Sequence, residues 1–245
     1  MSPTSPTDVL VRKLQRIAEV KEVDLAILRG ISIQEKTFQA NQDVVIEGDR
    51  PVNSFVVIDG LVGSSKVTGE GKRQITSFFV AGDLPDLHSL HLSVIDCTFS
   101  TLIPTRLGFM RHDALRAICE QHPRIATAFW RSTLIDAAIY REWVTNVGRR
   151  EAFTRMAHIL CELIYRLRSV GRIKDHIADI PITQAALGDA LGLSTVHVNR
   201  MLQELRRKGL IATSGPTVHA LDWPNLVRAG DFDPTYLHQR NPEAL

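Results

Sequence analysis

The chain has 245 residues, 44% hydrophobic and 23% charged, with a formal net charge of +2, ordinary values for a soluble globular protein with room for two modest domains. No run approaches the roughly 18 apolar residues of a membrane helix, and Met1 to Thr7 lacks a signal peptide's apolar stretch, so the cytoplasm is the expected compartment and no membrane is expected as partner. The three cysteines, Cys97, Cys119 and Cys161, are odd in number and dispersed, which suggests neither a disulfide framework nor a CxxC metal site.

The first residues, rich in Pro and Ser, read as a tail. Asp8 is placed to cap an amphipathic helix through Val9, Leu10, Leu14 and Ile17, and a second helix follows through Leu25 and Leu28. From Thr37 to about Met110 the texture changes. Val44 to Ile46, Phe55 to Ile58, Val62, Ile75 and Phe78 to Val80 are short β-prone runs. Between them Gly48-Asp49, Asp59-Gly60, Gly69 to Gly71 and Gly82-Asp83 supply turn chemistry. Many short strands punctuated by glycine predict a β-barrel or a cupin-like jelly roll.

After Pro123 the period changes again. Ala126, Trp130, Thr133, Ala137, Tyr140, Val144 and Val147 recur in steps of four and three, the spacing by which one long helix pairs with another. Thr133 and Ala137 are small enough for close approach, so these seven residues are the candidate interface of a homodimer. Gly148 interrupts the pattern before Arg149-Arg150 and reads as a hinge. A further amphipathic helix is expected from about Glu151 to Arg168, burying Phe153, Met156, Ile159, Leu160, Leu163 and Leu167 and ending at Gly171. Ile180 to Ile182 reads as a short strand. The expected organisation is α+β: a sensor-like β domain over 1–121, the pairing helix over 122–148, and a C-terminal domain over 149–245.

That last domain carries the chemistry. Thr183 can cap a helix with Leu187, Ala190 and Leu191 on its inner face; Gly192 turns the chain, and Leu193 plugs the space between this helix and the next. Ser194 caps the second helix and Gly209 closes it. At about 100° per residue, Val198, Met201, Leu202 and Leu205 share one face, and Val196, Asn199, Arg200, Gln203 and Arg207 share the opposite one. That exposed face suits a major groove, since Asn can bond adenine, Arg can pair with guanine and Val can pack on a thymine methyl. Residues 194–208 hold four cations against the single anion Glu204. The turn Ser214-Gly-Pro216 joins two short strands that form a wing. Charge follows the same division: residues 1–121 carry 13 Lys/Arg and 15 Asp/Glu, whereas 122–245 carry 16 and 12. Double-stranded DNA is the expected partner, and the winged helix-turn-helix is its reader.

Over nearly its whole length the chain resembles the Crp/Fnr superfamily of transcription regulators. The helix-turn-helix, the Gly48-Asp49 turn followed by Phe55 to Gly60, and the long helix with its hinge carry the resemblance. It implies a homodimer on a palindromic site, with RNA polymerase as a further partner. It also implies that Thr195, Val196, Asn199 and Arg200 face bases, while Ser194 and His197 touch phosphates. Val196 stands where the family often has an acidic base-reading residue, so the half-site need not be the familiar one. Members that bind cyclic AMP carry Gly-Glu and then Arg-Ser or Arg-Thr in the pocket. Here Asp86-Leu87 and Cys97-Thr98 stand at those places, which brings in a carboxylate and removes the phosphate-neutralising cation. The pocket is therefore expected to be degenerate. No cysteine precedes Cys97, so the N-terminal cluster of the iron–sulfur branch is missing. No cofactor or metal is expected, although His88 and His91, with Asp86, Asp96 and Cys97 nearby, leave a haem- or metal-responsive regulator as the alternative. A metal-dependent enzyme on the β-roll is a weaker one, since the strand segments 44–46 and 55–58 offer no His or carboxylate ligands; no nucleophile elbow, phosphate loop or zinc-hydrolase helix is present either.

Overall fold

Pro6 opens helix α1 (Pro6–Ile17), where its fixed φ suits the first turn and its missing N–H costs nothing. Ser5, not Asp8, is the N-cap residue, and Asp8 instead places its carboxylate in the first turn beside the positive end of the helix dipole. The computed structural model describes residues 5–171, 173, 176–180, 182–215 and 217–240. Val9, Leu10, Leu14 and Ile17 are buried, as their spacing predicts. Lys13 is buried with them, because its ammonium pairs with the buried Asp83 at 2.6 Å. In α2 (Glu22–Arg29), Leu25 and Leu28 are buried. Asp24 is buried beside them and takes two guanidinium N–H groups of Arg124, which hold its carboxyl below the usual carboxylate range.

The β-roll consists of two antiparallel sheets. One has the order β1 (Gln34–Phe38), β7 (Thr105–Arg111), β3 (Asn53–Asp59). The other has β2 (Asp43–Val45), β6 (Thr98–Thr101), β4 (Val62–Val67) and β5 (Arg73–Phe79). Phe55 on β3 meets Phe99 on β6 edge to face at 5.9 Å between ring centroids, which locks one sheet onto the other. Residues Ser54 to Ile58 of β3 are all buried, because α1 covers its second face. That explains an apolar run where a half-exposed strand would alternate.

Two elements escape the hydrophobic pattern. Strand β6 is mostly Thr and Ser, yet it lies between β2 and β4, where neighbours bury it. Helix α3 (His112–Gln121) buries only His112 and Leu115, too few residues to show a periodic stripe. Helix α4 (Pro123–Arg149) runs through Gly148 without interruption, so the expected break at that residue does not occur. Its inner face buries Ile125, Phe129, Ile135, Ile139 and Trp143, while Trp130, Leu134 and Val144 are 67%, 52% and 73% exposed.

Helix α5 (Ala152–Ser169) is buried on nearly all sides from Met156 to Arg166, where the pattern foresaw one apolar face. The next strand, β8 (Ile177–Asp179), comes earlier than the expected Ile180 to Ile182; Ile180 and Ile182 lie outside it, and Pro181 falls outside the described residues. Then follow α6 (Gln184–Leu191), α7 (Thr195–Arg207), β9 (Ile211–Ser214), β10 (Thr217–Ala220) and α8 (Trp223–Ala229). Strands β8, β10 and β9 form one antiparallel sheet with β10 central. A 3₁₀ turn over Pro234–Leu237 ends the described elements. By contacts the chain divides into two units. One comprises the described residues up to Lys66 with Phe78–Ala137, Gln239 and Arg240; the other comprises Val67–Ser77 with Ala138–His238. Among the described residues no helix is long and apolar enough to cross a membrane.

Candidate nucleic-acid interface

Helices α6 and α7 owe their junction to a few local bonds. Thr183 Oγ1 accepts from the Ala186 N–H at 3.1 Å and starts α6. Gly192 stands at φ +65°, a left-handed conformation at little cost for glycine, and the Gly192 and Leu193 N–H groups both return to the Gly188 carbonyl. Leu193 is half-buried in the elbow. Ser194 Oγ then accepts from the His197 N–H at 3.3 Å and starts α7.

The two faces of α7 follow the sequence pattern except at Leu202, expected buried, and Asn199, expected exposed, which are both half-buried. Val198 and Leu205 are fully buried and Met201 is nearly so, which fastens the helix to α5 and α6. On the other side Val196 is 79% exposed, and Thr195, Arg200, Gln203 and Arg207 are exposed with it. Val196 thus presents its branched apolar side chain to solvent on the same side as those polar and charged residues. Asn199 and His197 are half-buried. Asn199 Nδ2 lies 3.5 Å from Gln184 Oε1, a marginal contact, and His197 Nε2 contacts the Arg200 guanidinium. A glutamine at the start of α6 could be foreseen only from the folded positions.

The cations of α7 and its C-terminal end are not equivalent. Arg206 Nη1 donates to Thr213 Oγ1 on β9 at 3.0 Å and so braces the wing. Lys208 pairs with Glu204 at 3.3 Å and lies over the Phe153 ring at 4.1 Å from its centroid. Arg200 and Arg207 are left on the face that carries Val196. Pro216 at the wing tip lies outside the described residues.

Two family models match separate parts of the chain. Residues 154–229 match the Crp-like helix-turn-helix domain, and residues 35–122 match the cyclic nucleotide-binding domain. The chain belongs to the Crp/Fnr family of transcription regulators. It is 25% identical over 230 residues to the transcriptional activator protein FnrL of Cereibacter sphaeroides, covering 91% of each. It is 23% identical over 206 residues to the transcriptional activator protein anr of Pseudomonas aeruginosa, covering 84% of this chain and 82% of that one. FixK2 from Bradyrhizobium japonicum shares its fold, with a TM-score of 0.72 at 22% identity over 80% of this chain and 96% of the other. The named relatives are transcription regulators, not enzymes.

In this Crp/Fnr regulator Asp86, Leu87, Cys97 and Thr98, the residues expected at the cyclic-nucleotide positions, have structural surroundings. Asp86 is fully buried; its Oδ1 accepts from the Phe55 N–H at 2.9 Å, and its Oδ2 is buried with no hydrogen-bond partner. Desolvation pushes its pKa up to about 8. Leu87 and Cys97 are buried, and burial followed by the Asp96 charge pushes the Cys97 thiol up to about 12, so it is neutral at pH 7. Thr98 Oγ1 accepts from the Glu47 N–H at 3.1 Å. The structure adds a cation that the sequence comparison missed. Lys66 on β4 lies near Cys97, but its ammonium is held by the Glu47 carboxylate and the Asp96 carbonyl.

His88 and His91 border an apolar cavity of about 460 Å³ with Leu87, Cys119, Phe129 and Trp130. His91 is exposed, whereas His88 Nε2 is buried without a hydrogen-bond partner and burial lowers its pKa. Among the described residues no group of three or more His, Cys, Asp or Glu side chains converges as a metal site would require.

Proposed function

We propose that the chain binds a palindromic operator as a homodimer, with α7 in the major groove and no cyclic nucleotide as effector, and that it acts with RNA polymerase. The exposed face of α7 carries the reading, Val196 above all, with Asn199, Arg200 and Gln203 flanking it. Val196 meets a thymine methyl, Asn199 an adenine edge and Arg200 a guanine edge. Thr195 faces bases with them, the Ser194 hydroxyl and His197 approach phosphate at the positive end of the helix dipole, and Arg207 meets the backbone two turns beyond Arg200. Pairing of α4 on the stripe from Ala126 to Val147 is supported by exposed Trp130, Leu134 and Val144, whose area a second copy of the helix would remove from water.

The experiment compares Arg200→Ala with Arg207→Ala on an operator selected from random DNA, on its single-base variants, and at two salt concentrations. Arg200→Ala costs about 1–3 kcal/mol and relaxes preference at one base pair per half-site. Arg207→Ala weakens all sequences alike and reduces the salt slope by about one unit per site. The opposite pattern reverses the helix in the groove, and no effect from either overturns α7 as the reader.

The unpartnered Nε2 of His88 favours a second reading, a regulator that responds to haem. His88, a desolvated imidazole among the lining residues of an apolar cavity, is the residue that would hold a haem, which would supply the response; a protein-only metal site would need further ligands. A visible absorption band that His88→Ala abolishes supports it; haem-supplemented protein without such a band rejects it.

A further inference from the structure

The helix-turn-helix match ends at residue 229, but the chain does not leave the domain there. At Gly230 the ideal Cβ position stands only 2.8 Å from the His158 nitrogen and 2.9 Å from the Ala157 carbonyl carbon, so the segment is pressed against the backbone of α5. The Gly230 carbonyl accepts from His158 Nδ1 at 3.0 Å. Phe232 is buried edge-on against His158 and Tyr165, with ring centroids 5.4 and 5.9 Å away.

The polar bonds beneath converge on one carboxylate. Glu162 of α5 is fully buried. Its Oε2 accepts from the Tyr236 hydroxyl at 2.7 Å and from the Trp143 indole N–H at 3.1 Å, and its Oε1 accepts from Arg166 at 2.8 Å. Trp143 belongs to α4 and Tyr236 to the extension, so one side chain ties three segments together. A second tie lies nearby. Arg150, at the α4–α5 junction, pairs with Glu142 of α4 at 2.7 Å and with Asp231 of the extension at 3.1 Å.

We propose that residues 230–238 are a clasp that fixes α5 against residues 138–149 of α4, with Tyr236, Trp143 and Asp231 as positioning residues for DNA recognition. A buried carboxylate with three donors contributes little net stability but specifies one arrangement, since any other leaves Glu162 with Arg166 of its own helix alone and strips the Trp143 and Tyr236 donors from a dry Oε2. Only Arg150 and Glu151 separate α4 from α5. The clasp sets the direction in which α7 leaves α4 and hence, on the dimer reading above, the half-site separation that two copies accept.

The test uses the full chain with Tyr236→Phe, which keeps the ring stacked on His158 and removes only the hydroxyl, and Asp231→Asn, an exposed change that weakens the Arg150 tie. Two readouts are taken: hydrogen exchange of amides 148–152, and affinity for operators with the half-sites moved apart by one base pair, a rotation of about 34°. The expected result is exchange in that segment faster by about tenfold. The native protein loses about tenfold affinity on the shifted operator, and each variant loses less than about threefold. Unchanged exchange overturns the clasp, as does faster exchange with native spacing discrimination. A native protein indifferent to spacing instead overturns the dimer reading, and exchange alone then decides the clasp.

Discussion

Gly188→Ala is a one-methyl change that tests the geometry of the reading head. The ideal Cβ position at Gly188 lies 2.5 Å from the Leu193 carbonyl oxygen, whereas real Cβ atoms essentially never approach within 3.0 Å. The added methyl must therefore drive the elbow at least 0.5 Å from α6, because the obstacle is backbone and not a side chain that can swing away. The same movement strains the Leu193 N–H bond to the Gly188 carbonyl, now 3.0 Å. Overpacking of this kind costs about 1–3 kcal/mol, the strained bond up to about 1, and alanine's helix propensity returns about 1. The net loss is at most about 3 kcal/mol and falls to about zero where the elbow yields easily, a fall in Tm of about 2–4 °C for each kcal/mol lost. The consequence for DNA is larger than for folding. Ser194 and the first turn of α7 follow directly on Leu193, and a shift of 0.5 Å spans most of the usable hydrogen-bond range of about 2.7–3.2 Å. Operator affinity should fall at least about tenfold at a temperature where the variant is still fully folded, as read by calorimetry and fluorescence anisotropy. The control is Gly148→Ala, where nothing lies within 4 Å of the new methyl; it should stabilise α4 by about 0.5–1 kcal/mol and leave affinity unchanged. A Gly188→Ala protein with native Tm and native affinity would refute the close approach of the elbow.

Ala137→Glu places two carboxylates across the proposed α4 seam and should give monomers of otherwise native fold; light scattering showing an unchanged dimer would move the interface elsewhere. Asp86 has a folded-state pKa of about 8 against 3.8, so its contribution to stability is complete below about pH 4 and is lost as the pH rises to about 8, at about 1.4 kcal/mol per unit. Asp86→Asn keeps the acceptor for the Phe55 N–H and removes that loss, so urea unfolding should show its advantage over the native chain growing from pH 5 to pH 8; parallel profiles would contradict the burial argument. Cyclic AMP and cyclic GMP should bind no tighter than about millimolar by calorimetry, since the nearby Lys66 is already held by Glu47. A micromolar constant would show that Lys66 can leave its partner.

What the sequence determined by itself was set by local rules. The helix-turn-helix was legible because its signals are short-range: Thr183 and Ser194 bond amides three residues on, Gly192 takes a left-handed turn, and the two faces of α7 repeat with the helix's own period. The helical period of α4 was visible for the same reason, although the exposed Leu134 lies beside the strict four-and-three pattern. Tertiary structure decided everything that depends on neighbours distant in the chain. Strand β6 is polar and buried only because β2 and β4 flank it. Glu162 gives no sequence signal of burial, since a charged residue on an amphipathic helix reads as solvent-facing. It is dry because Trp143, 19 residues before it, and Tyr236, 74 after it, close over it and supply the donors. The Leu193 carbonyl at Gly188 belongs to the same class: periodicity shows which side of a helix faces inward, and only the packed backbone shows how much room is left there.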